Sequence, residues 1–388
     1  MKIRGRALVL AVSLPVIAFA VVGGFMSKAM ARQDSYQYLR IFEDVVSLIL
    51  QNYVEEVNVD KVMHGAMHGL ADGLDADSAY LDPAQVRVLD KGDNGGAGQT
   101  GLELTRQYYL RVIAARDGSP AAKAGLMPGD YIRAIDGQST RDTTVYEGQR
   151  LLRGRPGTKV HLTVLRGNAV EPHELDLVRE DIGAAPVKSR IAAPGVGYLR
   201  VAEFGKSTPE QIKNEIGAVS KAGAKSVVID LRGTAFGDVD AGLAAARLFV
   251  KSGVLAYRQD RGKEKEAVNA AAGDGSIAIT TVLLTDNGTS SGAEVFAAAL
   301  SGNKRAQLMG ERTLGRAARQ KLVRLPDGSG LMLTHLIYMT PASVAIHEKG
   351  LIPDVAVEQP DVDFGQPPAA KDATLEKAIA SLTVKAAA

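Results

Sequence analysis

Leu283-Leu284-Thr285-Asp286-Asn287-Gly288-Thr289-Ser290-Ser291-Gly292-Ala293-Glu294-Val295-Phe296 carries the main structural signal of the chain. It opens at the end of an apolar run, passes through polar turn residues and resumes with Ala293, Val295 and Phe296. That pattern predicts a strand, a sharp turn and a helix. A serine at such a junction holds its hydroxyl at a helix N-terminus, where free backbone N–H groups stabilise an oxyanion. A plainer reading is also available. Ser291 and Glu294 match the S-x-x-E capping box, in which the serine only starts the helix. These residues alone leave both readings open.

Outward from this stretch, strands and helices alternate. Gly197–Val201 reads as a strand, and Thr208–Ala222 as a helix started by Ser207 or Thr208 beside Pro209. Ser226–Leu231 is a buried-type strand, Ala241–Val250 a helix, Ala278–Leu284 a strand and Ala293–Leu300 a helix. The alternation predicts an α/β core. Upstream, between Gly101 and about Glu180, short strands (Leu110–Ala114, Tyr131–Ile135, Val160–Leu165) are joined by turns. Asp136-Gly137 is a hairpin-type turn, and Gly125 is placed to cap a short helix over Ser119–Leu126. Apolar residues at three-to-four spacing predict helices from Tyr36 to about Val57 and over Val59–Leu74. Asp75–Pro83 reads as a turn into another short helix, Lys91–Thr100 as a linker, and Arg258–Glu266 as a solvated charged loop. Gln359–Pro368 is extended and Ala373–Leu382 a last helix.

Composition excludes several classes of function. With 388 residues the chain exceeds one ordinary core, and length suggests two or three domains. Its 46 Lys plus Arg against 44 Asp plus Glu give no electrostatic reason to expect nucleic acid. The absence of cysteine removes disulfides, thiolate metal sites and a cysteine nucleophile. His64 and His68 stand four apart on a helix but lack a third ligand, so no metal and no cofactor is expected. At the start, Lys2, Arg4 and Arg6 precede an apolar run from Ala7 to Met26, and Ala29-Met30-Ala31 fits a cleavage site. Either a cleaved signal peptide or an anchor inserted in the membrane would keep the basic start inside and export the rest.

Gly101-Leu102-Glu103-Leu104, a strand, Ser119-Pro120-Ala121-Ala122, Gly125-Leu126, Pro128-Gly129-Asp130 and Ile135-Asp136-Gly137 together resemble a PDZ domain. A glycine-led loop aims N–H groups at a terminal carboxylate, and the strand after it accepts an extended peptide on its edge. Asn287–Phe296, Gly302–Ala306, Gly310-Glu311, Thr313-Leu314-Gly315, Gln320, Asp327-Gly328-Ser329, Thr340-Pro341 and Lys349–Asp354 resemble the core of carboxyl-terminal processing (tail-specific) serine proteases. The resemblance implies a multi-domain α/β protein: a crotonase/Clp-like protease core with an inserted PDZ domain and an N-terminal helical region. Its segments would be 1–31 (signal peptide or anchor), 32–92 (helical), 93–182 (PDZ), 183–358 (core) and 359–388 (tail with a short helix). It implies periplasmic or membrane-anchored residence and substrates that are proteins or peptides with flexible apolar C-terminal tails. It leaves room for a homo-oligomer.

The resemblance also assigns roles. Ser291 becomes the nucleophile, Gly292 N–H half of an oxyanion hole, and Gly237 N–H the other half. Gln320 matches the glutamine that assists the family's lysine base. The base does not match, because Thr313-Leu314-Gly315 is followed by Arg316. A lysine can be desolvated to a pKa near working pH and take a proton. An arginine stays charged, with a pKa above about 12. The oxyanion loop departs as well, since Gly233-Thr234-Ala235-Phe236-Gly237 replaces Asn-Pro-Gly-Gly and puts a large Phe236 where substrate must approach. Lys304 lies in a turn, Lys321 faces away from Gln320 on a strand, and His335 alternates along another strand; none is a strong substitute base. The residues support two readings: a tail-cleaving endopeptidase, or a pseudoprotease that binds tails without cutting them.

Overall fold

Ser226–Asp230 (SVVID) lies at the centre of a six-stranded sheet, and each of its residues is buried. Val227 and Ile229 face one layer, where they meet the helices Thr208–Lys221, Val239–Arg247 and Gly292–Gly302. Val228 faces the other and packs, with Val196, Val282, Leu284 and Met309, against Ala378 and Leu382. Side chains alternate across a strand, so a strand covered on both faces needs a continuous β-branched run, and this one has it. Burying each such side chain stabilises the fold by roughly 1.5–3 kcal/mol.

The computed structural model describes residues 36–167, 171–360, 362–366 and 371–387, with no side-chain account beyond 383. The segment behind the export reading therefore lies outside the described residues. Among those described, no helix is long and apolar enough to cross a membrane. The chain divides into two compact units, Met1–Gly69 and Leu70–Ala388. The first contains the helix over 36–52 and most of the helix Val59–Asp72.

Within the second unit the core sheet runs, edge to edge, Val355–Ala356, Ala306–Gly310, Thr280–Thr285, Ser226–Asp230, Val196–Arg200 and Lys188–Ala193. All pairs are parallel except the last. A second sheet joins Ala79–Leu81, Gly330–Met339, Val254–Asp260 and Glu266–Asn269, with Ala318–Arg324 also paired to Gly330–Met339. Two expectations fail here. Ala79–Leu81 is a strand, paired antiparallel with Gly330–Met332, and not a turn. The tract 258–266 is a loop only over the exposed residues 261–265; Arg258–Asp260 and Glu266 belong to the strands of a β-hairpin, and Arg258 pairs with Glu266 across them.

The PDZ-like domain is a separate sheet ordered Leu102–Gln107, Tyr109–Ala115, Tyr131–Ile135, Lys159–Leu165, His173–Val178. The helix Val145–Leu152 lies against its first strand and buries Leu152 with Leu102, Leu104 and Leu110. A tail segment reaches this domain from the core. Phe364 stacks on His173 at 4.3 Å under Arg166, and the helix Ala373–Ala387 then returns to the core sheet.

Candidate active site

Ser291 ends the turn after Thr280–Thr285 with φ 55° and ψ −122°, a positive φ in a residue that is not glycine. Holding such a backbone costs about 1–3 kcal/mol and persists only where its surroundings enforce it. The serine half of the capping box is absent, since the Ser291 side chain makes no cap hydrogen bond. Its amide donates to the carbonyl of Arg316 at 3.2 Å. Glu294 keeps its half of the box, accepting from the Ser291 backbone, and does more besides. Fully buried, it accepts from the Thr313 hydroxyl, from Gly315 N–H at 2.6 Å and from Arg316 N–H at 2.7 Å. Burial pushes its carboxyl up to about 7 against the pull of these donors. Glu294 thus fastens the 313–316 loop to the serine helix.

Two helix N-termini meet at the serine. Asp238 caps Val239–Arg247 by accepting Ala241 N–H at 2.9 Å, and Gly292 begins the serine helix. The helices touch through glycines. A Cβ on Gly242 would stand 2.2 Å from Gly292 O, and one on Gly292 would stand 2.3 Å from Asp238 O. Gly237 has φ +103° and lies so close to Phe204 O that only glycine fits. Its carbonyl stands 3.5 Å from Ser291 Oγ, so the loop offers the nucleophile an acceptor there.

Arg316 holds neither a base's freedom nor its chemistry. Its Nε pairs with Asp77 at 2.8 Å, and its Nη1 pairs with Glu103 at 2.8 Å and donates to Leu104 O at 3.3 Å. Asp77 and Glu103 raise its already high pKa against the effect of burial, which comes first in size and pulls it down. Gln320, on Ala318–Arg324, donates its amide to Thr334 Oγ1 at 3.2 Å, across the strand pair. Lys321 is exposed on the same strand, Lys304 sits in a turn with φ 56°, and His335 lies in Gly330–Met339. Asp77 and Glu103 were not legible as partners of Arg316, because only the tertiary fold brings them to it.

The loops of the site share one wall, the PDZ-like strand Tyr109–Ala115. Ile113 and Ala114 pack against Ala235, Phe236 and Leu314. A Cβ on Gly288 would stand 2.8 Å from Ile113 O. Phe236 has a packing role as well as its place beside Gly237. It packs into the contact between domains with the Arg116 guanidinium 4.8 Å above its ring. In the predicted carboxylate loop, Gly101 has φ +81° and its missing Cβ leaves room for Ser119. Leu102 and Leu104 are buried in the PDZ-like core, whereas Glu103 points to Arg316. No group of three or more His, Asp or Glu side chains poised for a metal occurs among the described residues.

Residues 195–357 match Peptidase family S41, and residues 111–166 match a PDZ domain. The chain is 33% identical over 310 residues to a carboxyl-terminal-processing protease of Synechocystis sp., covering 78% of this chain and 72% of the relative. The chain belongs to the carboxyl-terminal-processing protease family. A carboxy-terminal processing protease of Bacillus subtilis is 30% identical over 315 residues, 81% of this chain and 67% of the relative. A solved photosystem II D1 C-terminal processing protease superposes with a TM-score of 0.68 at 28% identity, over 82% of this chain and 92% of that one. As a member of the carboxyl-terminal-processing family, the chain is an S41 serine peptidase with a mixed α/β fold, a PDZ domain and proteins as its substrate class.

Proposed function

We propose that this peptidase is exported and captures flexible, apolar C-terminal tails on its PDZ domain, and that cleavage at Ser291 is strongly impaired. The observation that carries the impairment is the guanidinium of Arg316, fixed between Asp77 and Glu103 in the position of the family's lysine base. A cation held by two carboxylates cannot accept the serine proton at any pH the fold survives. Tail capture is supported by Leu102–Gln107, which ends its sheet and follows the glycine-led loop, as strand addition requires. Export is supported by the basic start and apolar run of the sequence.

A second reading, a cleaving endopeptidase, has one observation of its own: the strained backbone of Ser291, which a mere helix cap would not need. Incubating residues 32–388 with a protein carrying an unstructured apolar tail separates the two, with Ser291→Ala as the blank. Cleavage at family-like rates that vanishes in Ser291→Ala overturns the impaired reading. Binding without cleavage supports it.

A further inference from the structure

Leu102–Gln107 is the first strand of the PDZ sheet and pairs only with Tyr109–Ala115 within it. Leu104 stands opposite Val112. Val112 spends both backbone groups elsewhere, its N–H on Asp130 O at 2.8 Å and its carbonyl on Gly129 N–H at 2.9 Å. In an antiparallel ladder such a pair is the non-hydrogen-bonded kind, so the N–H and carbonyl of Leu104 point away from Tyr109–Ala115, to the open edge. That edge is where an added peptide strand would make its main-chain bonds. One of these groups is already engaged: Leu104 O accepts from Nη1 of Arg316 at 3.3 Å, and the neighbouring Glu103 carboxylate pairs with the same nitrogen.

We propose that Arg316 is an internal competitor for the tail, occupying the Leu104 carbonyl that an added strand needs and so coupling tail capture to the nucleophile loop. This rests on the tail-binding reading above and deepens it. The coupling runs through Arg316 itself, whose backbone carbonyl accepts the Ser291 amide and whose N–H donates to Glu294. A bound tail displaces Nη1 from Leu104 O and loosens the grip on Glu103, while Asp77 retains Nε. The displacement weakens the pairing of the half-buried Glu103 carboxylate with its cation, a loss that costs stability in a partly desolvated site. A tail that brings its own lysine or arginine beside Glu103 offsets that loss. The favoured ligand is therefore an extended C-terminal tail with a basic side chain at that place, and not a purely apolar one.

Fluorescence anisotropy tests this with a short labelled apolar peptide bearing a free carboxylate, its amidated twin and a version with one lysine. The proteins are residues 32–388 as wild type, Arg316→Ala and Glu103→Gln. Expected is about tenfold tighter binding of the apolar peptide by both variants, and a preference for the lysine peptide that Glu103→Gln abolishes. Glu103→Gln keeps the side-chain shape, so it carries the test if Arg316→Ala fails to fold. Equal or weaker binding of the apolar peptide by the variants overturns the proposal and leaves tail binding standing. No binding by any of the three proteins overturns the tail-binding reading and the proposal with it.

Discussion

Ser291 donates its amide to the carbonyl of Arg316 at 3.2 Å, so the residue standing where a base lysine would be also sets the nucleophile's backbone. The backbone duty survives any substitution at 316 other than proline. The side chain puts a guanidinium in place of the family's lysine, and it is held by partners that come from two other parts of the chain.

Restoring the lysine alone should therefore fail. In Arg316→Lys the ammonium would sit between Asp77 and Glu103, and two nearby carboxylates favour its charged form. Expected is peptidase activity no higher than that of the Ser291→Ala blank. Adding Glu103→Gln removes one carboxylate and should raise activity at least about tenfold above Arg316→Lys alone, a change of about 1.4 kcal/mol in barrier. Steady-state cleavage of a tailed protein at neutral pH checks this. Full activity in the single variant would show that the two acids do not control the site.

The carboxyl of Glu294 gives a pH dependence with a definite sign. Its folded pKa is pushed up to about 7 from an ordinary 4.5, so the folded state holds a proton that the unfolded chain releases. The associated stability is fully present below about 4.5 and is lost as pH rises through about 7. Its size is up to about 3 kcal/mol, at about 1.4 kcal/mol per unit. Thermal melts at pH 5 and pH 8 should show the wild type losing more stability with rising pH than Glu294→Gln. Parallel behaviour of the two proteins would remove Glu294 as the source.

The glycine contact between the two site helices predicts a large effect from one methyl group. In Gly242→Ala the new Cβ would meet the carbonyl of Gly292 at 2.2 Å, and that atom is backbone with no rotamer to change. Overpacking of this kind costs about 1–3 kcal/mol. Urea unfolding should show a lower midpoint with an unchanged slope. An unaltered midpoint would mean that the helices can part without cost.

Phe236 should matter for domain contact more than for substrate access. Phe236→Ala removes its packing on Ile113 and Ala114 and its stacking under Arg116. Expected is faster nicking by a broad-specificity protease in the exposed stretch 91–94, ahead of Gly98 and Gln99, which bridge to Gly154 and Glu180, with tail affinity changed less than about threefold. Mass spectrometry of the fragments would locate the cut. Improved cleavage of large substrates by Phe236→Ala would instead restore the blocking role that sequence suggests.

Much of the core was readable because its signals are local. The run Val227-Val228-Ile229 identifies a strand buried on both faces, and the residues from Asp286 to Gly292 mark the turn that places Ser291. The pairing of Asp136 and Gly137, both with positive φ, was equally plain. What escaped depends on partners distant in sequence. Ala79–Leu81 is a strand only because Gly330–Met339 accepts it. Arg258 and Glu266 look like loop charges until the hairpin sets them opposite each other. The helix Val145–Leu152 is short and carries Gly148 inside it, which weakens its periodic signal. Glu294 looked like a cap because three residues separate it from Ser291, and nothing local reveals that Thr313, Gly315 and Arg316 will claim it.

The pairing of Ala79–Leu81 with Gly330–Leu331-Met332 has a consequence for how the protein is made. The segment that supplies Asp77 emerges early, yet its strand partner is among the last parts of the core to leave the ribosome. The PDZ sheet, whose strands are neighbours in sequence, can form in the interval. Its edge strand Leu102–Gln107 then exists before Arg316, whose Nη1 donates to Leu104 O, has been synthesised. For that period a nascent chain would present an open edge strand, exposed to pairing with whatever extended segment is nearby. On the proposal above, the arrival of Arg316, whose Nη1 donates to Leu104 O, closes this window, and the same side chain would guard the chain against mispairing during its synthesis.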